Sequence, residues 1–349
     1  MKPICLGAGF IALDVVMNGG SNSPSYLTTG GSCGNVMSIL AYLGWDAAPM
    51  ARLSNDKAAS VILADLAAFG VNQKFITTKQ DGSTPIIIQR ILKDNAGTPK
   101  HKFEFRDPEN GKWLPQYKPV LTSYVDTIEL HNPSPRIYYF DRANPGTIEL
   151  AKKCKDANAL IFFEPNSVGD IRLFKIAVAI SDVIKFSSDR IKNYDEIIST
   201  HRCPLEIRTL GREGLEYSFR KPLHARNWKR LNPIQLDQKL VKDPSGAGDW
   251  CSAGIITGLG PGGAKSFNEF QETEIVSALN IGQSYSALSI CFTGARGLMY
   301  HLDNEQFYDA INSILDSSFS EFKELVSGQI PSRIHRSSRI QISSLYTSK

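Results

Sequence analysis

Four short apolar runs, RIYYFD (136–141), ALIFFEP (159–165), DVIKFS (182–187) and LEIRTLG (205–211), decide the fold. Each is too short for a core helix and ends in a polar residue or a turn, as a strand buried on both faces does. Segments of helical spacing, 147–157, 171–180 and a shorter one near 191–198, stand between them. Strand alternating with helix predicts a parallel sheet covered by helices on both faces.

Working toward the N-terminus, PICLGAGFIALDVV (3–16) reads as another buried strand, running into a loop at Asp14. Helices are predicted over 35–43 and 56–69, closed by Gly44 and Gly70, with the strand AAPMARL (47–53) between them. The stretch from 84 to 113 breaks this rhythm. TPIIIQRIL (84–92) and HKFEFR (101–106) are strand-like and joined by the turn DNAGTPK, with no helix between. Together with residues 14–30 they form a candidate β lid. Helices over 246–258 and 268–289 complete one domain, residues 1–326. Residues 327–349 form a Ser-rich tail with Arg333, Arg336, Arg339 and Lys349 and no acid, expected to fray.

Composition narrows the function. The chain has 349 residues, 42% hydrophobic and 21% charged, and no apolar run nears the ~20 residues of a membrane span. Its net charge of +4 is matched by the four basic residues of the tail, so no folded face is marked for nucleic acid or membrane. Six scattered cysteines without a C-x-x-C pair indicate neither zinc nor disulfides. A cytoplasmic enzyme acting on a small molecule is the expectation.

Open α/β sheets bind ligands beyond the carboxyl ends of their strands, so Asp14, Asn166, Ser187, Thr209 and Asp249 are expected to converge on one crevice. In DPSGAGD (243–249) a Gly-Ala-Gly turn opens a helix, and its free amides beside Asp249 suit a phosphate. The alternative is a cap by Asp243 or Ser245. In GGSCGN (30–35) consecutive glycines let backbone approach a ligand. Asn35 there can both donate and accept, and Asp14 can accept from two adjacent hydroxyls. Their structural alternatives are a helix cap and a turn.

These two stretches, in this order, resemble the two signatures of the PfkB (ribokinase-like) carbohydrate kinase family. The resemblance extends through Asp14, FEPN (163–166), SDVIKFS (181–187), TLGREG (209–214) and GARG (294–297), covering the chain to about residue 315. It implies an α/β/α sandwich with a mostly parallel central sheet and a small β lid, moving the ATP γ-phosphoryl group to a hydroxyl of a sugar or sugar derivative. Asp249 is then the base, and Gly246, Ala247 and Gly248 the anion hole. Asp14, Gly31 and Asn35 hold the acceptor. Thr209, Gly211 and Gly214 line the nucleotide groove, Lys185 and Ser187 approach the phosphates, and Gln283 the adenine. Asp243 and Ser245 match positions associated with a monovalent cation such as K⁺, and a homodimer through the lid is compatible with the resemblance. The usual N-x-x-E pattern reads Ser187-Ser188-Asp189-Arg190 here, leaving Mg²⁺ to Asp189, Glu164 or Asn166 through water.

A carboxylate at a helix N-terminus is expected to have a lowered pKa, making Asp249 a weak base, which a loose phosphoryl-transfer transition state tolerates. Three rival readings are kept: a nucleoside kinase of the same fold, a catalytically weak sugar or nucleotide sensor, and a serine hydrolase using Ser32 of G-x-S-x-G. GLGPGGAKS (258–266) misses the P-loop spacing by one residue, and Arg106 or Lys102 in the lid would favour an acidic acceptor.

Overall fold

The structure, a computed structural model, describes residues 2–18, 25–93, 99–130, 134–199, 203–219, 226–315, 336–337 and 341–347. His131, His201 and His224, which a hydrolase reading would draw on, lie outside them, as do Arg333, Arg339 and Lys349.

The four deciding runs become β8 (Ile137–Phe140), β9 (Leu160–Phe163), β10 (Val183–Ser187) and β11 (Leu205–Thr209). With β1 (Ile4–Ala8), β4 (Asp46–Leu53) and β5 (Ile76–Thr78) they pair in parallel. β12 (Leu215–Phe219) and β13 (Lys229–Leu231) extend the edge antiparallel, in the order β13-β12-β11-β10-β9-β8-β1-β4-β5. Alternate side chains serve two cores, which is why these runs are predominantly apolar on both faces. Ile137, Tyr139, Leu160, Phe162 and Val183 face one cluster, shared with α1 (Ser32–Tyr42), α2 (Lys57–Ala68), α7 (Ala247–Leu259), α9 (Glu272–Ser289) and α10 (Asn304–Leu315). Tyr138, Phe140, Ile161, Phe163 and Ile184 face the other, with α3 (Thr122–Asp126), α4 (Pro145–Asp156), α5 (Ile171–Ile180) and α6 (Tyr194–Ile197). The result is three layers, helix on sheet on helix. Among the described residues, no helix is long and apolar enough to cross a membrane.

Three boundaries differ from the sequence expectation. The run 3–16 is not one strand ending in a loop at Asp14: it breaks at Gly9 into β1 and β2 (Ala12–Asn18), and Asp14 sits within β2, in the lid. The cause is Asp141, since a Cβ on Gly9 would stand 1.8 Å from its Oδ1, and φ is +151° there. The first helix begins at Ser32 rather than 35, so Asn35 is inside the first turn and Gly31 takes the cap. The segment 268–289 is two helices, α8 (Gly263–Glu269) and α9, so part of GLGPGGAKS is helical.

The lid is a second sheet, ordered β14-β3-β2-β6-β7, from β3 (Ser25–Gly30), β6 (Ile86–Lys93), β7 (Pro99–Glu104) and β14 (Arg336–Ser337). The last strand is a correction to the frayed tail. β14 pairs antiparallel with β3, and α11 (Ser343–Tyr346) follows it. Ile342 and Leu345 are buried in the core that α2 also lines. Ile342 N and Ser343 Oγ donate to Glu109, and Tyr346 Oη donates to the buried Asp107. Leu345→Ala is expected to cost about 2–5 kcal/mol, the range for emptying a buried leucine site. Urea unfolding checks it, and a wild-type midpoint would mean that the tail is not part of the folded unit.

Candidate active site

The site begins where the chain leaves the central sheet for the lid. Asp141, at the carboxyl end of β8, accepts from Phe10 N (2.8 Å) and Cys33 N (3.2 Å), and Arg142 lies 3.3 Å from its Oδ2. One buried carboxylate thus fixes both the β1–β2 crossover and the start of α1. Burial raises its pKa despite Arg142. The sequence reading did not single it out, although a carboxylate directly after a buried strand was the available signal.

Two residues further along the first turn of α1, Asn35 Nδ2 donates to Asp249 Oδ2 at 2.7 Å, joining residues 214 positions apart. Asn35 Oδ1 is buried with no donor. Asp249 retains some accessible surface, yet its pKa rises to about 8. Burial is the main cause and Glu164 adds to it; the Asn35 bond and Lys185 pull the other way. The expected lowering is therefore overturned, because removal from water outweighs the helix dipole.

Gly246 caps α7 in the left-handed conformation, φ +74°, and a Cβ there would lie 2.5 Å from Ala295 O, so the turn requires glycine. Neither Asp243 nor Ser245 is the cap. Asp243 is a clamp instead: Oδ1 accepts from Ser245 N and Oδ2 from Gly294 N, both at 2.8 Å. Trp250 Nε1 adds a bond to Ala295 O, and Gln89 from the lid donates to Ser245 Oγ. Gly246, Ala247 and Gly248 are thereby held between the lid and the loop at 293–297. A cleft of about 240 Å³ lies against this loop, with Asp14, Thr28, Gln89, Arg296 and Tyr300 in its lining.

Beneath the turn, Lys185 Nζ donates to Gly248 O (3.1 Å) and forms a buried ion pair with Glu164. Burial disfavours the ammonium, but Glu164, Cys251 and Asp249 together outweigh it, and the pKa of Lys185 is raised. Glu164 also accepts from Tyr139 Oη (2.9 Å) and Ser252 Oγ (2.6 Å), so both oxygens are occupied. Asn166 Oδ1 accepts from Ser167 Oγ. No group of three or more His, Cys, Asp or Glu that could hold a metal occurs among the described residues. Ser187 and Thr209 lie side by side at the ends of β10 and β11. Gly211 opens the following turn, and Gly214 and Gln283 meet the same backbone: Gly214 packs on residues 231–233 and Gln283 donates to Asn232 O.

Ser32 starts α1, while His301, the one histidine side chain among the described residues, bonds Gly297 O. Arg106 stacks on Trp113 and Lys102 pairs with Glu104, so neither lid cation lines the cleft.

Lys185→Met is expected to cost about 3–5 kcal/mol, because it leaves Glu164 buried without its counter-charge. Adding Glu164→Gln should recover part of that loss in a double-mutant cycle. A double-variant loss equal to the sum of the losses in Lys185→Met and Glu164→Gln would show that the two charges are not coupled.

A scan against protein-family models finds no match, and no curated protein matches the sequence. Solved structures do match. An aminoimidazole riboside kinase from Salmonella enterica, complexed with aminoimidazole riboside and an ATP analog, is 17% identical over 89% of this chain and 99% of its own, with TM-score 0.65. A fructokinase double mutant from Vibrio cholerae O395, in its fructose, ADP and potassium ion bound form, is 18% identical over 88% and 98%, also at 0.65. The nucleoside kinase of Methanocaldococcus jannaschii, described as an archaeal member of the ribokinase family, is 15% identical over 90% and 99%, at 0.62. The chain therefore has the ribokinase-like fold, an α/β/α sandwich with a β lid, over nearly its whole length.

Proposed function

We propose that this chain is an ATP-dependent kinase that transfers the γ-phosphoryl group to a hydroxyl of a sugar or a related polyol, in the cytoplasm. The observation that carries this reading is the meeting of Asn35 and Asp249 at the N-terminus of α7, beside the Gly-Ala-Gly turn. Solved structures of the same fold described as kinases support it.

In this reading the acceptor lies between Asp14, Gly31 and Asn35 with its hydroxyl toward Asp249. The hydroxyl oxygen bonds to the γ-phosphorus, the bond from that phosphorus to the β,γ-bridging oxygen breaks, Asp249 takes the hydroxyl proton, and ADP leaves. Amides of Gly246, Ala247 and Gly248 take up charge on the transferring group. Lys185 sets the position of Gly248 through its carbonyl. Ser187, Thr209, Gly211, Gly214 and Gln283 line the nucleotide side. Asp249 poised near neutral suits proton removal better than an ordinary carboxylate does.

Glu164 does not fit the role of a Mg²⁺ ligand, since its oxygens are filled by Lys185, Tyr139 and Ser252. Mg²⁺ is assigned to the phosphates of ATP and to water, with Asn166 as the outer contact. K⁺ near Asp243 and Ser245 belongs to the same proposal and is read by an assay with and without it. So does a homodimer through the lid, supported by the exposed Phe103, Phe105 and Trp113.

ADP release from Mg-ATP across pentoses, hexoses, sugar acids, phosphosugars and nucleosides tests the reading. Acceptor-dependent turnover is expected, with Asp249→Ala losing about 10²–10⁴-fold while ATP still binds. ATP binding without turnover on any acceptor would favour a sensor.

The pH dependence is a second test. Asp249 must be unprotonated to act, and its pKa is raised, so kcat/KM should climb as pH rises toward about 8 and fall below it. Asn35→Leu removes a bond that lowers this pKa, moving the acid limb to higher pH. An acid limb near pH 4 in both proteins would mean that burial does not raise the pKa of Asp249 in the working enzyme.

A further inference from the structure

Arg296 is the one arginine or lysine among the described residues lining the 240 Å³ cleft, and its side chain is 1% exposed. It comes from the GARG segment (294–297). Its Nη2 is spent on Asp65 and on Tyr300 Oη (3.0 Å), and Asp65 is completed by Thr29 N and Tyr300 Oη. Nε and Nη1 have no hydrogen-bond partner. Buried guanidinium N–H groups left unpaired are costly, so something absent from the chain itself is needed to accept from them.

Two acceptors, one in this cleft and one beside Asp249, are also unmatched. Asp14 lines the cleft near enough to Arg296 for its charge to be felt, and its carboxylate makes no hydrogen bond to a described residue. Asn35 Oδ1, beside Asp249, also lacks a donor. The site thus asks a ligand for hydroxyl protons at Asp14 and Asn35, and for an oxygen with lone pairs and no proton to give at Arg296.

Charge decides which oxygen. Arg296 is already neutralised by Asp65, and Asp14 adds a second carboxylate. Among the described lid cations, Arg90 and Lys102 pair with Glu104, Arg106 stacks on Trp113, and none lines the cleft. An acidic acceptor would find no uncompensated positive charge and would face Asp14.

We infer that Arg296 is a specificity residue of the acceptor site, donating its free N–H groups to a ring or carbonyl oxygen of a neutral polyhydroxylated substrate whose hydroxyls are taken by Asp14 and Asn35. The inference rests on the acceptor site of the kinase reading, and it selects neutral sugars or nucleosides over sugar acids and phosphosugars.

Calorimetric titration of the full chain tests it without requiring turnover. The probes are neutral sugars and nucleosides, their carbocyclic or deoxygenated analogues lacking the ring or carbonyl oxygen, and sugar acids and phosphosugars. At least one neutral compound is expected to bind, with its oxygen-lacking analogue and its acidic counterparts each weaker by about tenfold or more. Arg296→Lys keeps a charge against Asp65 but loses the guanidinium. It should bring compound and analogue within about threefold while leaving ATP affinity unchanged, which a purely structural role for Arg296 would not do. Tighter binding of the acidic probes, binding of no neutral probe, or selectivity untouched in Arg296→Lys overturns the inference. Should that variant not fold, the analogue comparison on the wild-type chain decides alone. Selective binding without ADP release would overturn phosphoryl transfer and leave the role of Arg296 standing.

Discussion

Everything at the candidate site hangs on the buried carboxylate of Asp141. A strand that crossed from the body to the lid and a helix that returned from it would otherwise leave the amides of Phe10 and Cys33 buried without acceptors. Each would cost roughly 1–3 kcal/mol. Asp141 satisfies both from the end of β8 and so holds two chain segments in one place. The constraint propagates. With α1 pinned at Cys33, Asn35 arrives beside Asp249, and with the crossover pinned at Phe10, β2 carries Asp14 over the same crevice. Gly9 is the sequence's concession to this carboxylate, since any side chain there would occupy its oxygen's position.

Two opposing electrostatic effects meet at α7. The open end of the helix favours anions, which suits a phosphate at Gly246 to Gly248 and would by itself make Asp249 a stronger acid. Burial acts in the other direction and prevails, with Glu164 reinforcing it. Lys185 keeps this arrangement from being a cluster of unpaired negative charge, because it lies between Glu164 and the carbonyl of Gly248. The same turn can therefore attract a phosphate through its amides and keep a carboxylate available as a base. The first property comes from backbone dipoles and the second from desolvation, so neither has to be surrendered for the other.

The architecture was legible in the sequence because its period is strong. Runs such as LIFF have no polar face, and only a strand buried on both sides is built that way. The two glycine-rich stretches stood out for a different reason, as glycine pairs beside Asn35 and Asp249 have few structural uses, and the structure brings Asn35 and Asp249 together. What stayed hidden depends on contacts between distant segments. Asp14 was placed in a loop because the break at Gly9 is caused by a residue 132 positions away. The rise in the pKa of Asp249 follows from burial and from Glu164, neither of which is written in DPSGAGD. Arg296 sat inside a quoted motif unremarked, because its importance lies in which of its N–H groups Asp65 and Tyr300 leave unused. The tail read as polar and basic, yet two apolar residues, Ile342 and Leu345, suffice to seat its end in the core.

That tail bears on how the site is supported. Exposed sheet edges are liabilities, and β14 covers the edge of β3 while α11 is anchored under it against the core that α2 lines. The β2–β3 half of the lid is consequently tied to the body at the Gly9 crossover, at the return through Gly31 into α1, and through the tail. The β6–β7 half has its own ties: Gln89 of β6 donates to Ser245 in the body, and just past β7 Asp107 and Glu109 accept from the tail. It also carries the exposed Phe103, with Phe105 and Trp113 just beyond. Asp14 lies on β2, which pairs with β6 at Val16 and Gln89. In the proposed reading, the polar groups that would meet an acceptor thus sit on strands anchored to the body, and holding a hydroxyl within reach of Asp249 depends on that anchoring, because positioning errors of about 1 Å are what such chemistry tolerates least.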